Sequence, residues 1–436
     1  MISSFSIFFL FALLSILLHR TKWLKPFALM GIVLSSYCTF NNIPIGLSGF
    51  FESENIKLFE LILEIVLFAI ILHEDEDITI TQILFIGASS ILLLQSDTIV
   101  SFVISFESLS LISVVLVSSI KTKEQAQGAI KMFIAGGIST AILFLGLVFY
   151  VMGGGDLLQP IITKANNIEQ VGIYIMIIGL FYKLTIVPFH GWAADTYALV
   201  RDTHAAILSA VSKTVVVLAV FHIFSPFLLQ NIDFSVPVLV TFAIVTMTLG
   251  NFMALFSKNL ARILSYSSIA HAGYILLGFA SIKSEFANDG ILYISIAYIF
   301  MQSAGFLTLD ILRKNYNIST LKELSGFSKQ NPIVAFFFTV QLLSLAGIPL
   351  LAGFLGKAVV FYAGVDAGLW WVVLIALLNS ALSVGYYAWI IKSIYFDTLA
   401  KKEIIKPIYL AIVAQIILFA GTVYFGIFAK TVFNIQ

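Results

Sequence analysis

The chain has 436 residues, of which 60% are hydrophobic and only 11% are charged, with a formal net charge of +1. A soluble domain carries about 25% charged residues, so the composition excludes a water-soluble protein and predicts an all-α polytopic membrane protein. The balanced charge predicts no nucleic-acid partner. The lone Cys38 excludes a disulfide framework, a thiolate zinc site and an iron–sulfur cluster in this chain.

Apolar stretches, taken in chain order, predict about fourteen membrane-spanning helices, since each needs ~20 apolar residues. The predicted spans are 3–18, 26–41, 57–73, 78–95, 98–119, 127–151, 170–199, 203–225, 234–257, 260–281, 288–312, 332–364, 368–395 and 404–430. The first span lacks a basic leader and a cleavage site, so we predict that it is retained and is not a signal peptide. Because the connections are short, residues 1–436 are predicted to form a single integral membrane domain.

Basic residues are distributed unevenly among the predicted loops. Loops after odd-numbered spans hold sixteen lysines and arginines, whereas loops after even-numbered spans hold three, Lys57, Lys164 and Lys283. Basic loops stay in the cytoplasm, so the odd loops are predicted to be cytoplasmic and both termini to lie on the other side. The acidic odd loop HEDED, residues 73–77, does not change this prediction, because acidic residues contribute little to the rule.

Four lysines fall inside predicted spans: Lys131, Lys183, Lys213 and Lys357. A lysine at bilayer depth costs roughly 2.5–3.5 kcal/mol, so it normally faces a protein interior or a water-filled path. Lys183, Lys213 and Lys357 lie deep in their spans, which favours a functional role. Lys131 lies close to a loop, so a side chain that reaches the membrane surface and a functional role are equally supported.

Glu107 matches these lysines in depth, near the middle of the fifth span. A lysine ~4 Å from it would gain about 4 kcal/mol at an effective dielectric near 20, and separating the two charges would release a proton. We therefore predict that Glu107 pairs with a buried lysine. Glu60 and Glu64 are interpreted as an anchor at the membrane interface, and Asp310 as the partner of Arg313 at a helix end.

Two spans are interrupted, the seventh by Pro188 and the twelfth by Gly347 and Pro349. Lipid offers no partner for the freed backbone groups, so broken helices indicate an ion path. The two prolines are 161 residues and five spans apart, and an odd number of spans per repeat inverts its orientation. The predicted division is N-terminal helices in 1–77, a first repeat in 78–225, an inverted second repeat in 234–395, and a C-terminal helix in 404–430.

Four segments carry a family resemblance: FYKLTIVPFHGWAADTY (181–197), SAVSK (209–213), NLARILSYSSIAHAGY (259–274) and LLSLAGIPLLAGFLGK (342–357). They resemble the antiporter-like membrane subunits of proton-pumping NADH:quinone oxidoreductase (respiratory complex I), and SIAHAGY and GIPLLAGF are most similar to subunit N. Several long motifs in the same order are a specific signal. The resemblance implies a fourteen-helix fold with two inverted five-helix repeats and broken helices 7 and 12.

The resemblance also implies roles in proton transfer. The implied relay consists of Glu107 in the fifth helix, Lys183 in the seventh, Lys213 in the eighth and Lys357 in the twelfth. Lys131 matches a lysine near the start of the sixth helix, and His271 either bridges the polar axis or is a hydrogen-bonded core histidine. The chain departs from the family at 198–204, where ALVRDTH replaces a connection that usually contains prolines, so the shape of this connection stays open.

By this resemblance the chain is predicted to be a proton-translocating membrane-arm subunit in the cell inner membrane, partnered by other membrane subunits of complex I. NADH and quinone would be substrates of the whole complex, and FMN and iron–sulfur clusters would lie in partner subunits. No cofactor or metal is expected in this chain, whose sequence has no thiolate cluster, P-loop or dinucleotide fingerprint.

Three alternatives stay open. Subunits of multi-subunit sodium/proton antiporters and of membrane-bound hydrogenases share the fold and many of these motifs. A membrane cytochrome would use His190 and His204, fourteen residues apart, but Pro188 and the turn near 200–203 interrupt the helix that this arrangement needs. A scaffold that moves no ions would have no reason to keep three buried lysines.

Overall fold

The computed structural model describes residues 4–40, 53–118, 122–161, 166–396 and 409–428. Within these ranges the regular structure is helical, apart from one isolated bridge between Asn259 and Thr320. The α-helices are α1 (Ser4–Leu17), α2 (Leu24–Phe40), α3 (Ser53–His73), α4 (Asp77–Leu94), α5 (Ile99–Ser118), α6 (Lys123–Met152), α7 (Asn167–Leu184), α8 (Gly191–Leu199), α9 (Asp202–Ala206), α10 (Lys213–Gln230), α11 (Ile232–Phe256), α12 (Leu260–Ala280), α13 (Ala287–Tyr316), α14 (Pro332–Ala346), α15 (Ala352–Asp366), α16 (Trp370–Tyr395) and α17 (Tyr409–Ile427).

The predicted all-α, multi-pass membrane architecture is confirmed. In the described part of the chain, nine helical segments are long and apolar enough to cross a membrane, and α1, α2 and α14 are shorter apolar helices. A π-helical turn, Ile207–Ser212, joins α9 to α10, so that helix runs without a break from Asp202 to Gln230. Five of the basic residues used for the orientation lie outside the described residues: Lys121, Lys164, Lys401, Lys402 and Lys406.

Both predicted helix interruptions are present. α7 ends at Leu184, Thr185 adopts a left-handed backbone conformation (φ 60°), and α8 begins at Gly191. α14 ends at Ala346 and is followed by a left-handed Gly347 (φ 88°), a conformation that glycine adopts without steric cost. Each interruption lies beside a buried lysine described below: the Thr185 hydroxyl contacts Lys213, and the Leu345 and Ala346 carbonyls at the end of α14 contact Lys357.

The contacts between loops agree with the predicted assignment of loops to two sides. Loop residues predicted to be cytoplasmic pair with one another: Arg201 with Glu74 (2.8 Å) and Lys25 with Asp75 (3.7 Å). At the opposite side, Ser284 pairs with Asp366 (2.7 Å), and Asp97 lies 3.8 Å from His222, near the end of the predicted eighth span. We call these the basic side and the opposite side.

α13 lies at the centre of the helix assembly. Its whole 18-residue apolar window is buried, and it contacts α3, α9, α10, α12, α14, α15 and α17. Elsewhere glycines allow helices to approach closely. A Cβ atom on Gly172 would lie 2.4 Å from the backbone nitrogen of Tyr150, and one on Gly250 would lie 2.5 Å from that of Ala270. A side chain at Gly172 would push α7 away from α6, and one at Gly250 would push α11 away from α12.

Candidate functional site: a row of buried lysines

Glu107 and Lys183 line the same cavity of about 210 Å³ between α5, α6 and α7. The Glu107 carboxylate accepts hydrogen bonds from the Thr140 hydroxyl at 3.0 and 3.2 Å, and the Lys183 ammonium donates to the Ser113 hydroxyl at 3.1 Å. The two charged groups therefore do not form the direct ion pair that the sequence analysis predicted. The reason is local, because each charged group has its own hydroxyl partner and the cavity lies between them.

Lys213 is fully buried where the π-helical turn meets α10, and π-turns often mark functional positions. Its ammonium group donates to the Thr185 hydroxyl at 2.8 Å, the Ser268 hydroxyl at 2.5 Å and the Ser268 carbonyl at 3.1 Å. Thr185 can reach this position because α7 ends there in a left-handed turn. Lys213 is thus held by three neutral oxygen atoms from the break after α7 and from α12.

Lys357 is 4% exposed and lies against the second helix interruption. Its ammonium group donates to the carbonyls of Leu345 at 2.9 Å and Ala346 at 3.2 Å. These carbonyls lie at the end of α14, where the helix no longer supplies amide donors. The same ammonium lies 3.2 Å from the Ser380 hydroxyl and 5.1 Å from the centre of the Tyr274 ring, within cation–π range.

His271 lies between these two lysine sites on α12 and is 1% exposed. Its Nδ1 lies 2.9 Å from the Ser267 carbonyl, and its buried Nε2 has no hydrogen-bond partner in the described structure. The His271 ring packs against Tyr298 (5.3 Å between ring centres) and Tyr274 (5.7 Å). Since Tyr298 donates to Ser268 at 2.8 Å, polar and aromatic contacts run from Lys213 through His271 to the ring beneath Lys357.

Lys131 does not join this row. Its side chain is half exposed and forms an ion pair with Asp195 of α8, which Arg262 also approaches at 3.5 Å. The residues that line the cavity between Glu107 and Lys183 do not include Lys131. The structure therefore places Lys131 in a salt bridge near the basic side, where its charge is stabilised by a partner of opposite sign.

A second cluster of buried charge lies at the basic side, which we call the loop cluster. Glu74 is fully buried and accepts from the Arg201 guanidinium at 2.8 Å, and Arg201 also pairs with Glu76 at 2.5 Å. Burial alone would raise the pKa of Glu74, but the Arg201 guanidinium outweighs it and holds the pKa of this carboxyl below its usual range. The carboxylates in turn raise the pKa of Arg201 despite its burial.

The loop cluster extends to α9 and α13 and gives a second correction. Asp202 pairs with Arg313 at 3.1 Å and not with the preceding Arg201. Asp310 pairs with Lys314 at 2.7 Å and His73 at 2.8 Å, so Arg313 is not its partner. The connection that departs from the family is a short extended link at Val200 and Arg201, attached to the HEDED loop and to α13.

The third correction concerns Glu60 and Glu64, which are both fully buried on α3, so the expected anchor at the membrane interface is wrong. Sequence reasoning also missed the neutral partners of the row, which are Ser113, Thr140, Thr185, Ser268, Tyr274, Tyr298 and Ser380. Their common signal is a polar or aromatic residue inside an apolar span, a pattern too frequent in this chain to select them without coordinates.

A haem arrangement on one helix is not supported by the geometry. His190 precedes α8, whereas His204 lies in α9 beyond the extended link, with its Nε2 3.3 Å from the Thr79 hydroxyl. Among the described residues, no group of three or more His, Cys, Asp or Glu side chains is arranged to hold a metal ion. The row consists of ammonium groups, which can gain and lose protons, and of the hydroxyl and carbonyl oxygens that accept hydrogen bonds from them.

The family model described as "NADH:quinone oxidoreductase/Mrp antiporter, TM" matches residues 96–383. The F(420)H(2) dehydrogenase subunit N of Methanosarcina mazei is 33% identical over 343 residues, covering 74% of this chain and 68% of that protein. The NADH-quinone oxidoreductase subunit N of Flavobacterium johnsoniae is 29% identical over 454 residues, covering 98% of this chain and 97% of that protein.

Solved structures share the fold. A chain of respiratory complex I from Thermus thermophilus superposes with a TM-score of 0.81 at 21% identity, covering 97% of both chains. A chain of the Mrp complex from Dietzia sp. DQ12-45-1b superposes with a TM-score of 0.82 at 17% identity, covering 98% of this chain and 95% of that one.

Proposed function

The chain belongs to the NADH:quinone oxidoreductase/Mrp antiporter transmembrane family, and from that premise we propose that it is a proton-translocating membrane-arm subunit, of the subunit N type, of a complex I-type NADH:quinone oxidoreductase. The observation that carries the proposal is the row Lys183, Lys213 and Lys357, buried in apolar helices and held by neutral partners. A buried amine with neutral partners is able to gain and lose a proton, which is what a relay requires.

The proposal includes a finer description of the fold. The chain crosses the membrane fourteen times, with an inverted pair of five-helix repeats at 78–225 and 234–395 between helices in 1–77 and a helix in 404–430. Two observations support it: a helix coincides with every predicted span in the described residues, and loops of equal parity contact each other. Both termini lie on the non-cytoplasmic side of the inner membrane, because the basic loops are odd-numbered.

In the proposed mechanism, a proton enters at the cavity shared by Glu107 and Lys183 and passes to Lys213. The Thr185 hydroxyl, two residues after Lys183 along the chain, accepts a hydrogen bond from Lys213, so both sites border the break after α7. His271, which lies between the Lys213 and Lys357 sites and packs against the Tyr274 and Tyr298 rings, then carries the proton towards Lys357. Lys131 stays outside the relay and stabilises the α6–α8 contact through Asp195.

Redox chemistry takes place elsewhere in the proposed complex. Oxidation of NADH and reduction of quinone belong to partner subunits, which also hold FMN and iron–sulfur clusters. Neighbouring membrane subunits transmit the energy of that reaction to the row by changing the charge near its ends. A single charge brought within ~4 Å at an effective dielectric near 20 changes the energy of an ammonium group by about 4 kcal/mol, enough to move a proton.

A second candidate function is a subunit of a multi-subunit sodium/proton antiporter or of a membrane-bound hydrogenase. The observation in its favour is that the Mrp complex chain superposes as well as the complex I chain does. The relative that matches almost the whole chain carries the subunit N name, which favours the complex I-type assembly. The proteins that copurify with this chain would decide between the two functions.

The test is NADH-driven proton uptake by inverted membrane vesicles that contain Lys213→Ala. We expect the variant to assemble and to lose most of the pH gradient, because the central amine of the row is gone. Lys283→Ala, which removes an exposed lysine at the opposite side, is the matched control and should behave as the parent. Undiminished proton uptake in Lys213→Ala would refute the relay.

A further inference from the structure

Glu60 and Glu64 lie one turn apart on α3, outside both proposed repeats, and neither takes part in the proposed relay. Both are 0% exposed. Residues four apart on a helix project from the same face, so the two carboxyl groups are neighbours. Two neighbouring carboxyl groups buried in an apolar helix are unusual enough to need a physical explanation.

The other fully or nearly fully buried carboxylates differ from this pair because each has a cationic partner. Glu74 pairs with Arg201, Asp202 with Arg313, and Asp310 with Lys314 and His73. Among the described residues, neither Glu60 nor Glu64 lies within ion-pair distance of a lysine, arginine or histidine side chain. The loop cluster thus contains buried carboxylates that each contact a cation, whereas α3 carries two carboxyl groups without such a contact.

Neutral donors contact one oxygen of each carboxyl group. The Gln95 amide donates to Glu60 Oε1 at 2.9 Å, and the Ser35 hydroxyl donates to Glu64 Oε1 at 2.5 Å. The second oxygen of each group, Oε2, is buried without a well-aligned hydrogen bond, and only neutral hydroxyls, those of Ser36 and Thr39, also lie near the Glu64 carboxyl. An ionised carboxylate would leave charge on this bare oxygen, whereas a protonated carboxyl places its O–H there and carries no charge.

We infer that Glu60 and Glu64 form a second proton-binding site, in which the carboxyl pair retains at least one exchangeable proton at neutral pH. Two adjacent negative charges buried without a counter-ion repel each other and are poorly solvated, so the second ionisation is strongly disfavoured. The inference concerns how this pair is protonated and does not depend on the proposed relay.

The pair is surrounded by four helices, since α3 packs against α2, α4, α13 and α17. The donor Ser35 belongs to α2, and the donor Gln95 is the residue that follows the last turn of α4. Lys57, one turn before Glu60, is the nearest cationic group that acts on the pair electrostatically. Lys25 of α2 and Asp77 of α4 lie at the basic-side ends of these helices. Lys25 pairs there with Asp75, and Asp77 accepts a hydrogen bond from the backbone N–H of Arg20.

A partly exposed carboxyl group follows Gln95 at the opposite side. Asp97, two residues after Gln95, lies in the turn between α4 and α5 with about a third of its side chain exposed, 3.8 Å from His222. Burial raises the pKa of Asp97 to about 6, so this carboxyl exchanges protons near physiological pH. Asp97 is therefore the titratable carboxyl nearest along the chain to the hydrogen-bond donor of Glu60.

Infrared difference spectroscopy of the assembled complex between two pH values tests the site. We expect a carbonyl band of protonated carboxyl groups that loses intensity in Glu60→Gln and Glu64→Gln, and loses more in the double variant. Glu323→Gln, which changes an exposed carboxylate in a loop, is the matched control and should leave the band unchanged. An unchanged band in the double variant would show that the pair is ionised and would overturn the inference.

Two further measurements keep the test decisive if the double variant fails to assemble. Gln95→Leu and Ser35→Ala retain both carboxyl groups but remove their hydrogen-bond donors, so each should shift the position of the band. Absence of any shift would contradict the site. Sodium added at constant pH should leave the band intact; its loss would mean that the pair binds a monovalent cation, and the proton assignment would fail.

Discussion

The lysine row and the loop cluster both bury charge, but they stabilise it in opposite ways. In the row, the ammonium groups of Lys183, Lys213 and Lys357 contact hydroxyls, backbone carbonyls and an aromatic ring. In the loop cluster, every carboxylate contacts a cation, as Glu74 does with Arg201. An ion pair fixes the charge of both partners, whereas neutral partners leave an amine able to change its charge. The difference separates groups that can move protons from groups that stabilise the structure.

The largest effect is expected when the row is given a fixed counter-ion, because the row would then resemble the loop cluster. Ser268→Asp would place a carboxylate where a hydroxyl now lies 2.5 Å from Lys213. A pair at ~4 Å gains about 4 kcal/mol and holds the amine in its charged form, so we expect proton transfer to fall at least roughly a hundredfold. NADH-driven proton uptake by vesicles is the measurement. Ser268→Asn is the control, because asparagine has the size of aspartate but no charge. Equal losses of proton uptake in the two variants would contradict the argument.

The converse change removes a fixed counter-ion from the loop cluster. Arg201→Gln would leave Glu74 buried without its cation, and breaking a buried pair in this way costs about 3–5 kcal/mol. We expect a large fall in thermal stability, with proton uptake per assembled complex preserved. Arg262→Gln is the control, because its half-exposed pair with Asp195 is worth no more than about 1 kcal/mol. Similar destabilisation in both variants would show that burial of the Arg201–Glu74 pair does not determine how much it contributes to stability.

Acid should weaken the loop cluster selectively. The pKa of Glu74 lies below its ordinary value of about 4.3, so its stabilisation is fully present above that value and is lost as the pH falls through the lowered pKa. We expect the denaturation temperature of the parent to drop steeply in this range and that of Glu74→Gln to drop less, because the glutamine has no proton to take up. Identical acid profiles would exclude Glu74 as the titrating group.

The smallest effect is expected from Ser268→Ala. Lys213 would keep the Thr185 hydroxyl and the Ser268 carbonyl but lose one neutral partner, a change of about 1 kcal/mol. We expect proton uptake to fall roughly fivefold at most, since about 1.4 kcal/mol corresponds to a factor of about ten. Initial rates in vesicles measure the change. A loss of proton uptake as large as that of Ser268→Asp would mean that hydrogen bonding to Lys213, and not its charge pairing, controls proton transfer at this site.

Much of the fold was predictable because the bilayer imposes length and hydropathy on each span. Proline and glycine then marked both interruptions, and the depth of Lys213 and Lys357 marked the row. Partner choice was not predictable. Glu107 and Lys183 share a cavity without pairing, and Arg201 and Asp202 are adjacent in sequence but bind different elements. Which side chains meet depends on helix rotation and loop contacts that a single sequence does not specify.

The central position of α13 has a consequence for biogenesis. A helix whose whole apolar window is covered by protein presents no face to lipid in its final state. The helices that enclose it are translated both before it, as α3 and α12 are, and after it, as α15 and α17 are. While the ribosome is still making the 120 residues that follow Tyr316, α13 must therefore remain in contact with lipid or a membrane insertase. Truncation directly after Tyr316 would remove α14, α15 and α17 and expose the face of α13 that they cover.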